Sequence, residues 1–89
     1  MPIIDALEGP ILRPIIEALL AELDDGAIHD RPTARRAVIA KTGANPSTLG
    51  SLIAEMGTHG IIDRPKGTLR LTTLGRVWAQ DEGLIGARR

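Results

Sequence analysis

The stretch AVIAKTGANPSTLGSLIAEMGTHG, residues Ala37–Gly60, decides how the rest of the chain is read. Thr42, Gly43, Ala44 and Asn45 make a tight turn of small and polar residues. Asn45 is a good helix N-cap, because its side-chain oxygen accepts from amides that the first helical turn leaves unpaired. Pro46 suits the first helical position, where a missing N–H costs little. Leu49, Leu52, Ile53 and Met56 then recur at i, i+3, i+4 and i+7, so Pro46–Thr58 is a helix with one buried face, stopping at Thr58-His59-Gly60.

Upstream of the turn, a helix is expected from about Thr33 to Lys41, with Ala34, Ala37, Val38 and Ile39 inward and Arg35, Arg36 and Lys41 outward. It follows a turn around Asp30 and Pro32 and a short strand at Ala27–His29. Earlier still, Ile11, Leu12, Ile15, Ile16, Leu19, Leu20 and Leu23 recur at spacings of three and four. They predict a helix from about Gly9 to Asp25, with Pro14 in its opening turn and Gly26 as its left-handed stop. Residues 1–9 read as a helical lead-in or an arm. The stripe is wider than one small core needs, so part of it is expected to pair with a second subunit. Asp24 and Asp25, at the end where the helix dipole disfavours anions, are expected to be solvated.

Downstream, Ile61–Arg64, the turn Pro65-Lys66-Gly67 and Thr68–Leu71 read as a β-hairpin. A last helix is expected from Thr72 to about Gln80, with Val77 and Trp78 available for the core or for a dimer contact. Residues 81–89 are expected to fray as a basic tail. The chain is thus expected to be one domain over residues 1–89, mainly α with a small β-hairpin, in an α+β arrangement.

Composition narrows the function. There is no cysteine among the 89 residues, which excludes disulfide frameworks, thiol catalysis and cysteine-held metals. With Trp78 the sole aromatic, base-stacking platforms for single strands are set aside. His29 and His59 are isolated, and no phosphate loop, dinucleotide fingerprint or nucleophile elbow occurs, so neither an enzyme nor a metal or other cofactor is expected. Asp5, Glu8 and Glu17 interrupt any apolar leader, and no membrane-spanning run exists, which makes the cytoplasm the expected compartment. The zero net charge hides an asymmetry. Residues 1–30 hold seven acidic side chains against Arg13 alone, whereas residues 31–89 hold ten basic and four acidic ones. The second half therefore suits a polyanion, set against a bland reading as ordinary solvated helix faces.

Helix, short strand, helix, tight turn, helix and hairpin is the order of the winged helix-turn-helix, and Ala37–Gly60 resembles the helix-turn-helix of that superfamily. The continuation HGIIDRPKGTLRLTTLG, residues 59–75, looks like its wing. Leu71-Thr72-Thr73-Leu74-Gly75 is similar to the wing-to-helix transition of bacterial repressors of the multiple-antibiotic-resistance and phenolic-acid types. The resemblance runs from Pro32 to Trp78 and implies a three-helix core, a wing and a short C-terminal helix. It also implies duplex DNA as partner, bound by a homodimer with the third helix in the major groove and the wing on the flanking backbone. The expected two-fold contact is the first helix, with Trp78 as a second candidate.

Two positions depart from the family pattern. Ile39 stands where a small residue is common, and the third helix has no Arg or Lys but carries Glu55, so it cannot itself supply the bidentate arginine–guanine contact. Asn45, Ser47, Thr48 and Ser51 remain to bond phosphates or base edges, beside a helix N-terminus that favours phosphate. Arg35, Arg36 and Lys41 from the second helix, and Arg64, Lys66 and Arg70 from the wing, form a basic frame around it, with Lys66 able to enter an adjacent minor groove. Gly50 reads equally as a close approach to DNA or as tight packing against another helix. The alternatives are a winged helix used for protein–protein assembly without DNA, and a repressor with a ligand pocket at its dimer interface.

Overall fold

Four helices and a three-stranded antiparallel sheet share one apolar core in the computed structural model, which describes residues 12–85. In chain order they are α1 (Leu12–Glu22), β1 (His29–Asp30), α2 (Arg31–Thr42), α3 (Pro46–Thr58), β2 (Ile62–Asp63), β3 (Thr68–Leu71) and α4 (Thr73–Asp81). The α+β class is as expected. The hairpin is there, with Ile62 opposite Leu71 and Asp63 opposite Arg70. It is also widened, because β1 pairs with the other edge of β3, His29 facing Leu69 and Asp30 facing Thr68.

Most of the apolar stripe expected for α1 faces the core. Ile15, Ile16, Leu19, Leu20 and Leu23 are all buried, chiefly against α2, and each such side chain contributes roughly 1.5–3 kcal/mol. Leu12 and Ala18 pack partly against the same core, and Ile11 of the expected stripe lies outside the described residues. α1 also ends at Glu22, three residues before the expected Asp25, while the expected start at Gly9 and the lead-in over residues 1–9 lie outside the described residues. Asp24 is not merely solvated either. Arg76 of α4 binds both its carboxylate (Nη1 to Oδ1, 2.6 Å) and its carbonyl (Nη2 to O, 2.6 Å), placing a cation at the negative end of α1.

Asp25 accepts from the His29 ring at 2.8 Å and from the Ala27 amide at 2.9 Å. The His29 bond, then the Ala27 amide, hold its carboxyl below the usual carboxylate value of 3.8. A lowered folded-state value means this contribution is present above the unfolded value and fades as pH falls through the lower folded one. An NMR titration is expected to place the Asp25 midpoint below 3.8 and to bring it back upward in His29→Ala. A midpoint that ignores the substitution would contradict the pairing.

β1 runs straight into α2 without the expected turn. Asp30 is the N-cap, accepting from Thr33 N at 3.2 Å and from its hydroxyl at 2.9 Å, so the helix starts at Arg31 rather than Thr33. Ala34 and Val38 are buried, and Ile39 packs partly against the core. Gly43 closes α2 in the left-handed conformation (φ 68°), and the cap Asn45 opens α3, its Oδ1 accepting from Ser47 N at 2.8 Å. α3 has the expected bounds and buries the expected Leu49, Leu52, Ile53 and Met56.

Beyond α3, Gly60 takes a φ of 73° so that its N–H meets Gly57 O and the next N–H, from Ile61, meets Met56 O at 2.9 Å. Ile61 thereby drops into the core, and α4 docks on that same turn. The Thr72 hydroxyl bonds Gly60 O at 2.6 Å, with Ile61 O at 3.0 Å, and accepts from Gly75 N at 2.9 Å. A similar end closes α4: Leu84 N–H reaches Ala79 O at 2.8 Å past Gly83, burying Leu84, with Ile85 packed partly alongside. The tail expected to fray from residue 81 is therefore folded back as far as residue 85, and residues 86–89 lie outside the described residues.

Candidate nucleic-acid interface

α3 turns a face of small residues outward: Ser47, Ser51, Ala54 and Thr58 are exposed. Positive charge reaches this face from neighbouring elements. Arg35, on α2, donates from Nη2 to Pro46 O at 3.1 Å and lies beside Gly50. Arg64, just past β2, crosses the helix at Gly57, where an added β-carbon would stand 2.5 Å from its Nε. At Gly50 no other helix packs tightly: the nearest group to an added β-carbon is the Arg35 tip at 3.8 Å, an ordinary contact distance.

Arg31 joins these groups. It lines an open depression with Gly57, Ile62, Asp63, Arg64 and Pro65, and a second one with Pro32, Arg35, Arg36 and Ile39. Its backbone N–H donates to Gly67 O at 2.9 Å, tying the hairpin turn to the start of α2. Its Nε is shielded from solvent and has no hydrogen-bond partner. Arg31 was not among the residues picked from the sequence, because the α2 start was read two residues late. The Asp30/Thr33 capping pair was the signal that could have found it.

Ion pairing sorts the cations. Lys41 lies 3.9 Å from Glu22, and Arg70 pairs with Asp63 across the hairpin at 3.2 Å. Among the described residues, no carboxylate lies within ion-pair range of Arg31, Arg35, Arg36, Arg64 or Lys66. Of the ten residues expected from the sequence, Ser47 and Ser51 lie on the exposed face of α3 with Arg35 and Arg64 beside it, Arg36 lines the depression on α2, and Lys66 lies in the hairpin turn. Lys41, Asn45 and Thr48 line a separate groove with Pro14 and Ile15 of α1. The α3 N-terminus is a weaker phosphate site than expected, since Pro46 has no N–H and that of Ser47 is spent on Asn45.

No known protein family, characterised protein or solved structure matches this chain. The geometry therefore carries the functional argument alone. Among the described residues no three His, Asp or Glu side chains gather as a metal site would need, no charged side chain is buried, and no helix is long and apolar enough to cross a membrane.

The hairpin turn offers a clean test of one cation. Lys66 has a φ of 32° and Gly67 one of 74°, so both central residues of the Pro65–Thr68 turn are left-handed, a conformation that suits glycine. Lys66→Gly is expected to leave stability unchanged or raised by up to about 1 kcal/mol in a urea melt. If the surface binds a duplex, the same variant is expected to weaken that binding and to flatten its salt dependence by about one unit. A clear loss of stability would mean that the Lys66 side chain holds the turn.

Proposed function

We propose that this chain is a small winged helix-turn-helix protein that binds duplex DNA sequence-specifically as a cytoplasmic transcriptional regulator, with α3 in the major groove and the hairpin on the flanking backbone. The order α1–β1–α2–α3–β2–β3–α4, with β3 between β1 and β2, supports the fold reading. The observation that carries the function is a group of cations from α2 and the hairpin, Arg31, Arg35, Arg36, Arg64 and Lys66, that have no carboxylate partner among the described residues, with Arg35 and Arg64 lying against α3. Cations left unneutralised beside a helix whose one charged residue, Glu55, faces His59 favour a polyanion, because releasing the counterions of DNA drives such contacts.

The test is fluorescence anisotropy of a labelled random-sequence duplex across a salt series. Binding that weakens steeply with salt supports the proposal. An absence of binding at low salt would overturn it.

A second reading, assembly with another protein or a second copy, is favoured by α4. There Leu74 is 63% and Val77 51% exposed, beside a partly buried Trp78. In this reading α4 offers exposed apolar side chains for a two-fold contact, beside the first-helix contact expected from the sequence. Sedimentation at the concentrations of the binding assay separates monomer from oligomer.

A further inference from the structure

Two arginines lie across α3 although the helix itself contributes none. Gly50 and Gly57 are seven residues apart, so they share a face two turns and roughly 10 Å apart. Each is crossed by a side chain from a different element. The Arg35 guanidinium lies 3.8 Å from the place a β-carbon on Gly50 would occupy, and its Nη2 is held by Pro46 O. At Gly57 a β-carbon would meet Arg64 at Nε (2.5 Å), Cζ (3.1 Å) and Cδ (3.3 Å), so only glycine admits the arginine in this position. Among the described residues neither guanidinium has a carboxylate partner.

We infer that Arg35 and Arg64 are the base-reading side chains of this surface, carried to α3 by its neighbours, and that they read guanines about three base pairs apart. The inference rests on the duplex-binding reading proposed above. A guanidinium fork matches guanine O6 and N7 in the major groove, but only if it is held at the helix that enters the groove. Arg35 is so held by a backbone carbonyl, and Arg64 by its passage over Gly57. Their separation along α3, roughly 10 Å, is about three base-pair steps of ~3.4 Å. Arg36 and Lys66 lie outside this pair and suit the phosphates on either side.

The experiment is selection from a randomised duplex library by the unaltered protein and by Arg35→Lys, Arg64→Lys and Gly57→Ala, each checked for folding by circular dichroism. All three variants keep every positive charge. The unaltered protein is expected to enrich two guanines about three base pairs apart. Each Arg→Lys change should erase the preference at one of them by roughly ten- to a hundredfold, with non-specific affinity and salt dependence unchanged. Gly57→Ala, which displaces Arg64 without removing it, is expected to reproduce the Arg64→Lys pattern. Selection of one motif with the same discrimination by all four proteins would overturn the inference and leave duplex binding standing. Duplex binding without any base preference would also overturn it. Failure of the unaltered protein to bind duplex at low salt would overturn the duplex-binding reading and this inference together.

Discussion

Gly75→Ala is expected to cost this domain about 3 kcal/mol or more, the steep end of what overpacking does. A β-carbon on Gly75 would stand 1.9 Å from Ile61 O, and also 2.7 Å from Ile61 C and 2.9 Å from its Cα. These are backbone atoms in the turn on which α4 docks, so no rotamer change clears them. Relief requires α4 to lift away, breaking the Thr72 bonds to that turn and uncovering Ala79 and Leu84. For a domain of this size, whose total stability is roughly 4–13 kcal/mol, the variant is expected to melt at least 10 °C lower. Gly50→Ala is the control. It is the same change in another helix, with its nearest neighbour an arginine tip at 3.8 Å, and it should be neutral or stabilising by up to about 1 kcal/mol. Urea melts of the two variants should diverge in midpoint. If Gly75→Ala matched the unaltered protein, the close approach of α4 to Ile61 would be wrong.

The second large effect is electrostatic. In non-specific binding, where no guanine is read, if the five cations that lack a carboxylate partner among the described residues each neutralise one phosphate, a salt slope of about −4.5 follows, or roughly 500-fold weaker binding between about 50 and 200 mM salt. Changing Arg31, Arg35, Arg36 and Arg64 together to Gln should leave a slope near −0.9 and only about a three- to fourfold loss over that range. The double change Lys41→Gln and Arg70→Gln removes two charges already facing Glu22 and Asp63, and should alter the slope by less than one unit. Equal slopes for the two variants would show that ion pairing does not sort these residues. Urea melts run alongside separate a binding defect from a folding one.

How far each feature could be read from sequence follows from how local its cause is. The turn Thr42–Asn45, the cap Asn45, the proline after it and the four buried side chains of α3 depend on neighbours within two turns, and they came out as expected. The same holds for the Pro65–Gly67 turn, and the last helix starts at Thr73, one residue after the expected Thr72, which caps it. What was misread depends on a distant partner. The expectation that Asp24 is merely solvated misses Arg76, fifty-two residues away, which binds it. The tail was read as frayed because the burial of Leu84 requires a core that its own sequence does not display. Within the candidate site, the cations other than Arg31 are legible in the sequence and their pairing is not. Lys41 and Arg70 look like Arg35 and Arg64 until Glu22 and Asp63 are seen beside them. Arg64 was placed on the wing, and only the missing side chain of Gly57 reveals that it lies on α3.

Trp78 is the single tryptophan in a chain without tyrosine or phenylalanine, and it sits on α4, packed partly against the core. All near-ultraviolet emission therefore originates from one helix. Its intensity and colour report whether α4 is seated on the Gly60–Ile61 turn, while far-ultraviolet ellipticity reports α1, α2 and α3 as well. Following both signals through one denaturation reveals whether the last helix leaves with the rest of the molecule or ahead of it, without attaching a dye.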